Sequence, residues 1–271
     1  MSGVLERPAG LGRRFVSSLL DRGIFGTAIV TGRFLFAPTY RTLRNQYLRY
    51  RNPVLHRWRP LHYSDKDPFA TIEIDPLVIS HIQRPPSHPR LHLDSSERVH
   101  MYENMGKVVD GEWDQQRSPW EALSFHQGFI EHFVHGVPWK ETTFYAEITA
   151  KEPSFPSRWK HSRWLRPKSD AEFLSELAEF DELYHTIRSE GYRQTSNLDE
   201  LTVNIARDGT FIHNNSGSHR LSIAKILEID AIPARVLVRH RDWQAVRNAA
   251  KSNVTLPDEL LAHPDLDDLK E

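Results

Sequence analysis

Gly217-Ser218-His219-Arg220 sets small residues, a histidine and an arginine immediately before a helical run, His219 to Leu227. Small residues at such a point let the backbone approach a ligand closely. The first N–H groups of a helix have no partner inside it, and with the helix dipole they form an anion site. Arg220 adds a bidentate, charge-assisted contact suited to phosphate oxygens. His219 is placed to donate one more hydrogen bond. The plainer alternative is that Ser218 caps the helix and that His219 and Arg220 are surface residues.

A second group is Asp110, Glu112 and Asp114, within Gly106-Lys107-Val108-Val109-Asp110-Gly111-Glu112-Trp113-Asp114. Carboxylates at a spacing of two share one face of a strand, and Mg2+ prefers oxygen ligands. One of the three can serve as a general base toward a hydroxyl acceptor. The alternative is a hairpin with an Asp110-Gly111 turn and solvated acids. Of the 15 histidines, His81, His88 and His92, and separately His126, His132 and His135, are further candidate metal ligands. They lack the tight helical spacing of a His-Glu-x-x-His site, so surface or packing roles are the simpler reading.

The elements around the first group follow from local signals. Ser169 to Glu190 reads as a helix, with Ser169 as N-cap, Glu172 completing a capping box and Gly191 as C′ residue. Leu201 to Ala206 is a strand. Asp208-Gly209 supplies a hairpin turn, and Phe211 to His213 begins the return strand. The polar loop Asn214-Asn215-Ser216-Gly217-Ser218 leads into the helix, and Ile232 to Val238 is a further strand. Helix, hairpin, loop, helix and strand make an α+β arrangement.

This order and spacing resemble the ParB/sulfiredoxin-like superfamily, which includes ParB-like nuclease domains and free-serine kinases. The resemblance runs from about Tyr184 to Val238, roughly 55 residues. It rests on the helix-then-Gly segment Leu183 to Tyr192, on Asp208-Gly209, on the box with Leu221-Ser222-Ile223-Ala224-Lys225-Ile226-Leu227 after it, and on Ile232-Pro233. It implies a ParB/sulfiredoxin-like core in which Gly217, Ser218, His219 and Arg220 hold the phosphates of a nucleotide triphosphate, ATP or CTP, with Mg2+. Ser218 departs from the sulfiredoxins, where the nucleophilic cysteine stands at this place. The chain has no cysteine, so repair of sulfinic acid is excluded. Nucleotide-dependent phosphoryl transfer or hydrolysis remains. A DNA-associated ParB-like nuclease and a non-catalytic nucleic-acid-binding module are the alternatives. About 30 residues follow Arg239, too few for the helix-turn-helix domain of ParB proteins.

Three segments are expected: a basic helical arm and linker over 1–68, the ParB/sulfiredoxin-like domain over 69–240, and a C-terminal helix with an acidic tail over 241–271. Within the domain, Ile72 to Ile82 is expected to supply the opening strand and 87–180 a large insertion. Trp120 to Val134 reads as a helix, with Leu123, Phe129, Ile130 and Phe133 at helical spacing. Residues 13–51 read as helical, broken at Gly23, Gly26, Gly32 and Pro38, and 52–68 as a connecting loop.

Charge is uneven although the net formal charge is −1. Arg22, Arg33, Arg41, Arg44, Arg49, Arg51, Arg57 and Arg59 lie in a stretch, Arg22 to Ser64, without Asp or Glu. Beyond Pro257 stand Asp258, Glu259, Asp265, Asp267, Asp268 and Glu271, expected to be a solvated tail. Such asymmetry points to an anionic partner for the arm, nucleic acid or an anionic membrane surface, to which Phe34, Phe36, Tyr40, Tyr47, Tyr50 and Trp58 add stacking or apolar contact. The same residues can instead pack on the protein's own core. The most apolar stretch, Phe15 to Phe36, contains Asp21, Arg22 and Arg33 and so does not read as a membrane span. The absence of cysteine and of a secretory signal suggests a cytoplasmic protein.

Overall fold

The computed structural model describes residues 37–83, 105–115, 117–149, 169–193, 201–214 and 216–270. Two compact units make up the chain, Met1–Tyr50 and Arg51–Glu271. Of the first, only the start of helix α1 (Ala37–Trp58) is described. The helix runs through Pro53, well into the expected loop. Pro38 stands in its first turn, where a missing N–H costs nothing, rather than breaking it. Within the second unit, Arg51 and Asn52 both donate to the Met105 carbonyl, at 3.2 and 3.0 Å.

The second unit is built on a seven-stranded mixed sheet. Its strands are β1 (Thr71–Ile74), β2 (His81–Ile82), β3 (Lys107–Val109), β4 (Ser118–Pro119), β5 (Thr202–Ile205), β6 (Phe211–His213) and β7 (Ile232–His240), in the order β1-β7-β5-β6-β2-β4. β5 and β7 are parallel, as are β2 and β6, while β6 returns antiparallel to β5. β3 pairs with the far end of β7, beyond the part that β1 occupies. The architecture is α+β.

The hairpin β5–β6 forms where Asp208-Gly209 was expected to turn. Gly209 takes φ +86°, and the Ala206 N–H reaches the Thr210 carbonyl at 2.9 Å. A Cβ at Gly209 would meet Trp243 Cζ3 at 2.8 Å, so glycine is needed there for space as well as for conformation.

Four helices share one hydrophobic core with the sheet: α2 (Ser124–Phe133), α3 (Thr143–Thr149), α4 (Asp170–Glu190) and α5 (Ser218–Ile226). Their seam is aromatic, with Phe125, Phe129, Phe144, Phe173 and Phe180 buried against Leu221, Ile223, Val203 and Ile205. Side chains of this size each contribute about 1.5–3 kcal/mol by leaving water. The capping box of α4 is present, with Ser169 Oγ accepting from Glu172 N at 3.2 Å and Glu172 reaching back to Ser169 N at 2.9 Å. Described residues 105–149, expected as part of an insertion, contribute β3, β4, α2 and α3 to the same sheet and core.

The acidic C-terminal stretch is not a solvated tail. After helix α6 (Arg241–Lys251) and the short α7 (Asp258–Leu261), the turn Pro264–Leu269 brings Asp265 to full burial. Asp265 accepts from Arg239 Nε at 2.8 Å and from Trp243 Nε1 at 3.1 Å, and its backbone carbonyl accepts from Arg247. Asp268 accepts from Arg247 Nη1 at 2.9 Å and from Lys66 at 3.0 Å. These arginines hold the Asp265 carboxyl below the usual carboxylate range despite burial, and hold Asp268 down at about 2. Buried cations that need partners convert an apparently solvated run into a clasp.

Candidate functional site

The box that opens α5 is built by a left-handed glycine. Gly217 is the N-cap at φ +84° and ψ 15°, and a Cβ there would lie 2.8 Å from Leu201 Cα. Only glycine meets both demands. The Gly217 carbonyl accepts from Leu221 N at 2.9 Å, closing the first helical turn. The Thr202 hydroxyl accepts from Ser216 N at 3.3 Å, which fixes the approach of the loop to the start of β5. The first N–H groups of α5 thus begin beside Leu201.

Arg220, in the first turn of α5, stacks on the Tyr192 ring at 4.2 Å and donates to the Arg193 carbonyl. It stays only partly buried. A guanidinium offers five N–H donors in a planar fork. His219 differs from the expectation of a ligand donor. Its ring packs among Phe180 at 4.5 Å, Phe125 at 5.7 Å and Phe129 at 6.0 Å. It serves the helix seam, because position two of α5 points toward α2 and α4.

Asp110, Glu112 and Asp114 are not on one strand face. Asp110 follows β3, Gly111 turns the chain at φ +94°, and Trp113–Gln115 is a 3-10 turn. The three carboxylates part company. Asp110 pairs with Arg241. Glu112 meets Arg207 Nη2 at 3.0 Å. Asp114, with its side chain 1% exposed, accepts from Arg207 Nε at 2.9 Å, Nη2 at 2.8 Å and the Arg207 backbone N–H at 3.1 Å. Burial raises the Asp114 carboxyl, and the Arg207 hydrogen bonds overcome this and hold it below its ordinary value. His240 completes the latch, its Nε2–H donating to the Gly111 carbonyl at 2.9 Å while Nδ1 accepts from Asp242 N.

These carboxylates do not fit Mg2+. Their oxygens are taken by arginines, and a cation among guanidinium groups meets repulsion. Among the described residues no group of three or more His, Asp or Glu is arranged to hold a metal ion. Nor does the turn reach the box Gly217–Arg220. Asp114 grips Arg207, just past the end of β5, whereas Gly217 sits on Leu201, just before its start. Six residues of extended chain separate the two by about 20 Å.

The histidine groups also disperse. His126 Nδ1 meets Ser222 Oγ at 3.1 Å inside the core, where burial lowers the imidazole to about 4. His132 stacks on Trp139 at 4.0 Å and reaches Asp181 at 2.9 Å. His81 contacts Ser80 Oγ at 2.8 Å. His88 and His92 lie outside the described residues, as do Arg22, Arg33, Phe34 and Phe36.

One feature escaped sequence reasoning. Gln83, Asn204 and Asn214 are buried side by side on the sheet. Gln83 Nε2 donates to the Trp113 carbonyl at 3.1 Å, Asn204 Nδ2 donates to Gln83 Oε1, and Asn214 Nδ2 donates to Asn204 Oδ1 at 3.0 Å. A carbonyl only accepts, so the Trp113 end sets the direction of the whole chain. The available signal was Asn204 within the otherwise strand-like Leu201 to Ala206, and Asn214 in the loop before the box.

On α1, Tyr47, Tyr50, Val54 and Trp58 are exposed, Tyr50 at 76% and Trp58 at 80%. Their spacing of three, four and four residues places them along one side of the helix. No described helix is long and apolar enough to cross a membrane. In comparison with known proteins, the chain matches no family model, no curated protein and no solved structure.

Proposed function

We propose that this chain binds the phosphates of a nucleotide at the helix start Gly217–Arg220, with a ParB/sulfiredoxin-like core as the resemblance implies. The observation that carries this reading is the left-handed Gly217, seated on Leu201, which opens a nine-residue helix with Arg220 in its first turn. A helix start of this kind favours an anion, and a guanidinium beside it adds charge-assisted hydrogen bonds. Arg220 grips phosphate oxygens, the backbone N–H groups of the first turn orient them, and His219 anchors the helix to its aromatic bed.

Hydrolysis or transfer of a phosphoryl group is the class of reaction that such a grip serves, since positioning and charge neutralisation supply most of that catalysis. The turn Asp110–Asp114 is left out of this role, because its acids are closed by Arg207 and Arg241 at the other end of β5. A thermal-shift screen of the full chain against ATP, CTP and other nucleotides, with and without Mg2+, tests the reading. A rise in melting temperature that tracks nucleotide concentration supports it. No shift with any nucleotide at millimolar concentration counts against it.

A second reading concerns the arm. The exposed aromatic side of α1, with the exposed Arg49 and Arg57 beside it, suits an anionic surface. Nucleic acid and anionic lipid share the required charge, and salt-sensitive binding to oligonucleotides or vesicles separates them.

A further inference from the structure

The last two turns of α1 and the turn after them belong to the second unit and carry apolar side chains in water. Val54, Trp58 and Leu61 are exposed, Trp58 at 80%. Spacings of four and three residues set them along one side of the helix and its continuation, where Arg59 N donates to the Leu55 carbonyl at 2.8 Å. Arg57 and Arg59, on either side of Trp58 in the chain, are exposed as well.

This patch is built on a fastened base. Asn52 is buried and donates to the Met105 carbonyl at 3.0 Å. His56 Nδ1–H donates to the Tyr63 carbonyl at 2.7 Å. Val108 N donates to the His62 carbonyl and Ser64 N to the Gly106 carbonyl, each at 2.8 Å. None of these anchors uses Val54, Trp58 or Leu61, so the three are presented without any rearrangement of the backbone. A contiguous exposed apolar group on a fixed base marks a surface that meets a partner.

Charge selects the partner. No Asp or Glu occurs from Arg22 to Ser64. The next carboxylate, Asp65, is answered by Arg247 Nε at 2.9 Å and Lys251 Nζ at 2.8 Å. The patch is therefore apolar and cationic with no acid of its own. A second copy of it would set arginine against arginine. Single-stranded nucleic acid would supply phosphates, but Val54 and Leu61 have no flat face on which a base can stack. An anionic bilayer surface suits every member: the acyl boundary takes Val54 and Leu61, the headgroup level takes the Trp58 indole, and anionic headgroups take Arg57 and Arg59.

We infer that the end of α1 inserts Val54, Trp58 and Leu61 into the interface of an anionic membrane, with Arg57 and Arg59 at the headgroups. This assignment rests on the reading of α1 as a surface for anions and selects lipid over nucleic acid.

Co-sedimentation of the full chain with vesicles of phosphatidylcholine, and of phosphatidylcholine with about 30% phosphatidylserine, tests it at low and moderate salt. Binding to the anionic vesicles, weaker at moderate salt, is expected, with little binding to the neutral ones. Trp58→Ala is expected to lower that affinity about tenfold, the scale of one large apolar side chain leaving water. Arg57→Gln with Arg59→Gln is expected to lower it at low salt and to lessen its salt dependence. All three positions are exposed, so these variants should keep the wild-type melting temperature. Equal vesicle binding by wild type and Trp58→Ala overturns the inference and leaves the basic residues before Arg51 as the anionic surface. Binding to a single-stranded oligonucleotide without binding to vesicles also overturns it and assigns the arm to nucleic acid. Binding to neither overturns the inference together with the reading of the arm.

Discussion

The two ends of strand β5 carry opposite kinds of polar chemistry. Past its end, Arg207 is closed by Asp114, Glu112 and the Gly111 carbonyl, and every one of those partners comes from the same turn. Before its start, Gly217 opens a helix with no side-chain cap, and Asn214 Oδ1 has no hydrogen-bond partner among the described residues. The first end has the denser charge and the second has the open valences. Charge that is fully answered within the protein builds stability, whereas polar groups left unanswered mark where a ligand belongs.

The largest expected effect comes from breaking the closed end. Asp114→Ala removes a buried carboxylate that accepts three hydrogen bonds from Arg207 and should lower the unfolding midpoint more than the other substitutions named here. Urea unfolding measures this. Nucleotide affinity of the folded fraction should not change, and a parallel loss of affinity would join the two ends into one site.

Acid unfolding sharpens the same comparison. His126 is held neutral with its imidazole at about 4, so the folded state binds fewer protons than the unfolded chain between pH 6.5 and 4. Stability is therefore full above about pH 6.5 and falls by about 3 kcal/mol as pH drops to 4. His126→Phe should flatten this window. The carboxyls of Asp265 and Asp268 are depressed, so their contribution is present above about pH 4 and is lost below it, as pH falls toward 2. Melting temperature against pH in wild type and variant resolves the two windows.

Gly217→Ala acts on the open end. The φ of +84° and the close Leu201 backbone make the methyl costly, by about 1–3 kcal/mol. Unlike Asp114→Ala, it should also weaken nucleotide binding, because the helix start moves. Retained affinity in a destabilised protein would place the ligand elsewhere.

The smallest effect lies in the arm. Deleting residues 1–50 should leave nucleotide binding intact and should weaken salt-sensitive binding to single-stranded oligonucleotides or anionic vesicles. Fluorescence anisotropy and vesicle co-sedimentation at low and moderate salt check this.

Local signals were legible in the sequence and distant ones were not. The capping box Ser169–Glu172 and the Asp208-Gly209 turn depend on residues within a few positions, and both form as expected. The Gly217 helix start was legible for the same reason. The acidic turn misled because a spacing of two reads as a strand face, while Gly111 turns the chain and Arg207, more than ninety residues away, decides where Asp114 goes. Asp265 reads as solvated until Arg239 and Trp243, 26 and 22 residues away, are folded against it. The amide chain was hidden most deeply. Gln83 and Asn204 meet across a separation of 121 residues; Asn204 in a strand-like run marks a buried polar group but not its partner.

The central claim is that the open end of β5 is where this protein meets its ligand. Calorimetric titration of wild type and Arg220→Ala with the nucleotide that gives the largest thermal shift tests it most directly. Arg220→Ala should stay folded, since the side chain is only partly buried, and should lose about 1.5–3 kcal/mol of binding, the value of a charge-assisted hydrogen bond. Equal affinity in the two proteins would contradict the claim.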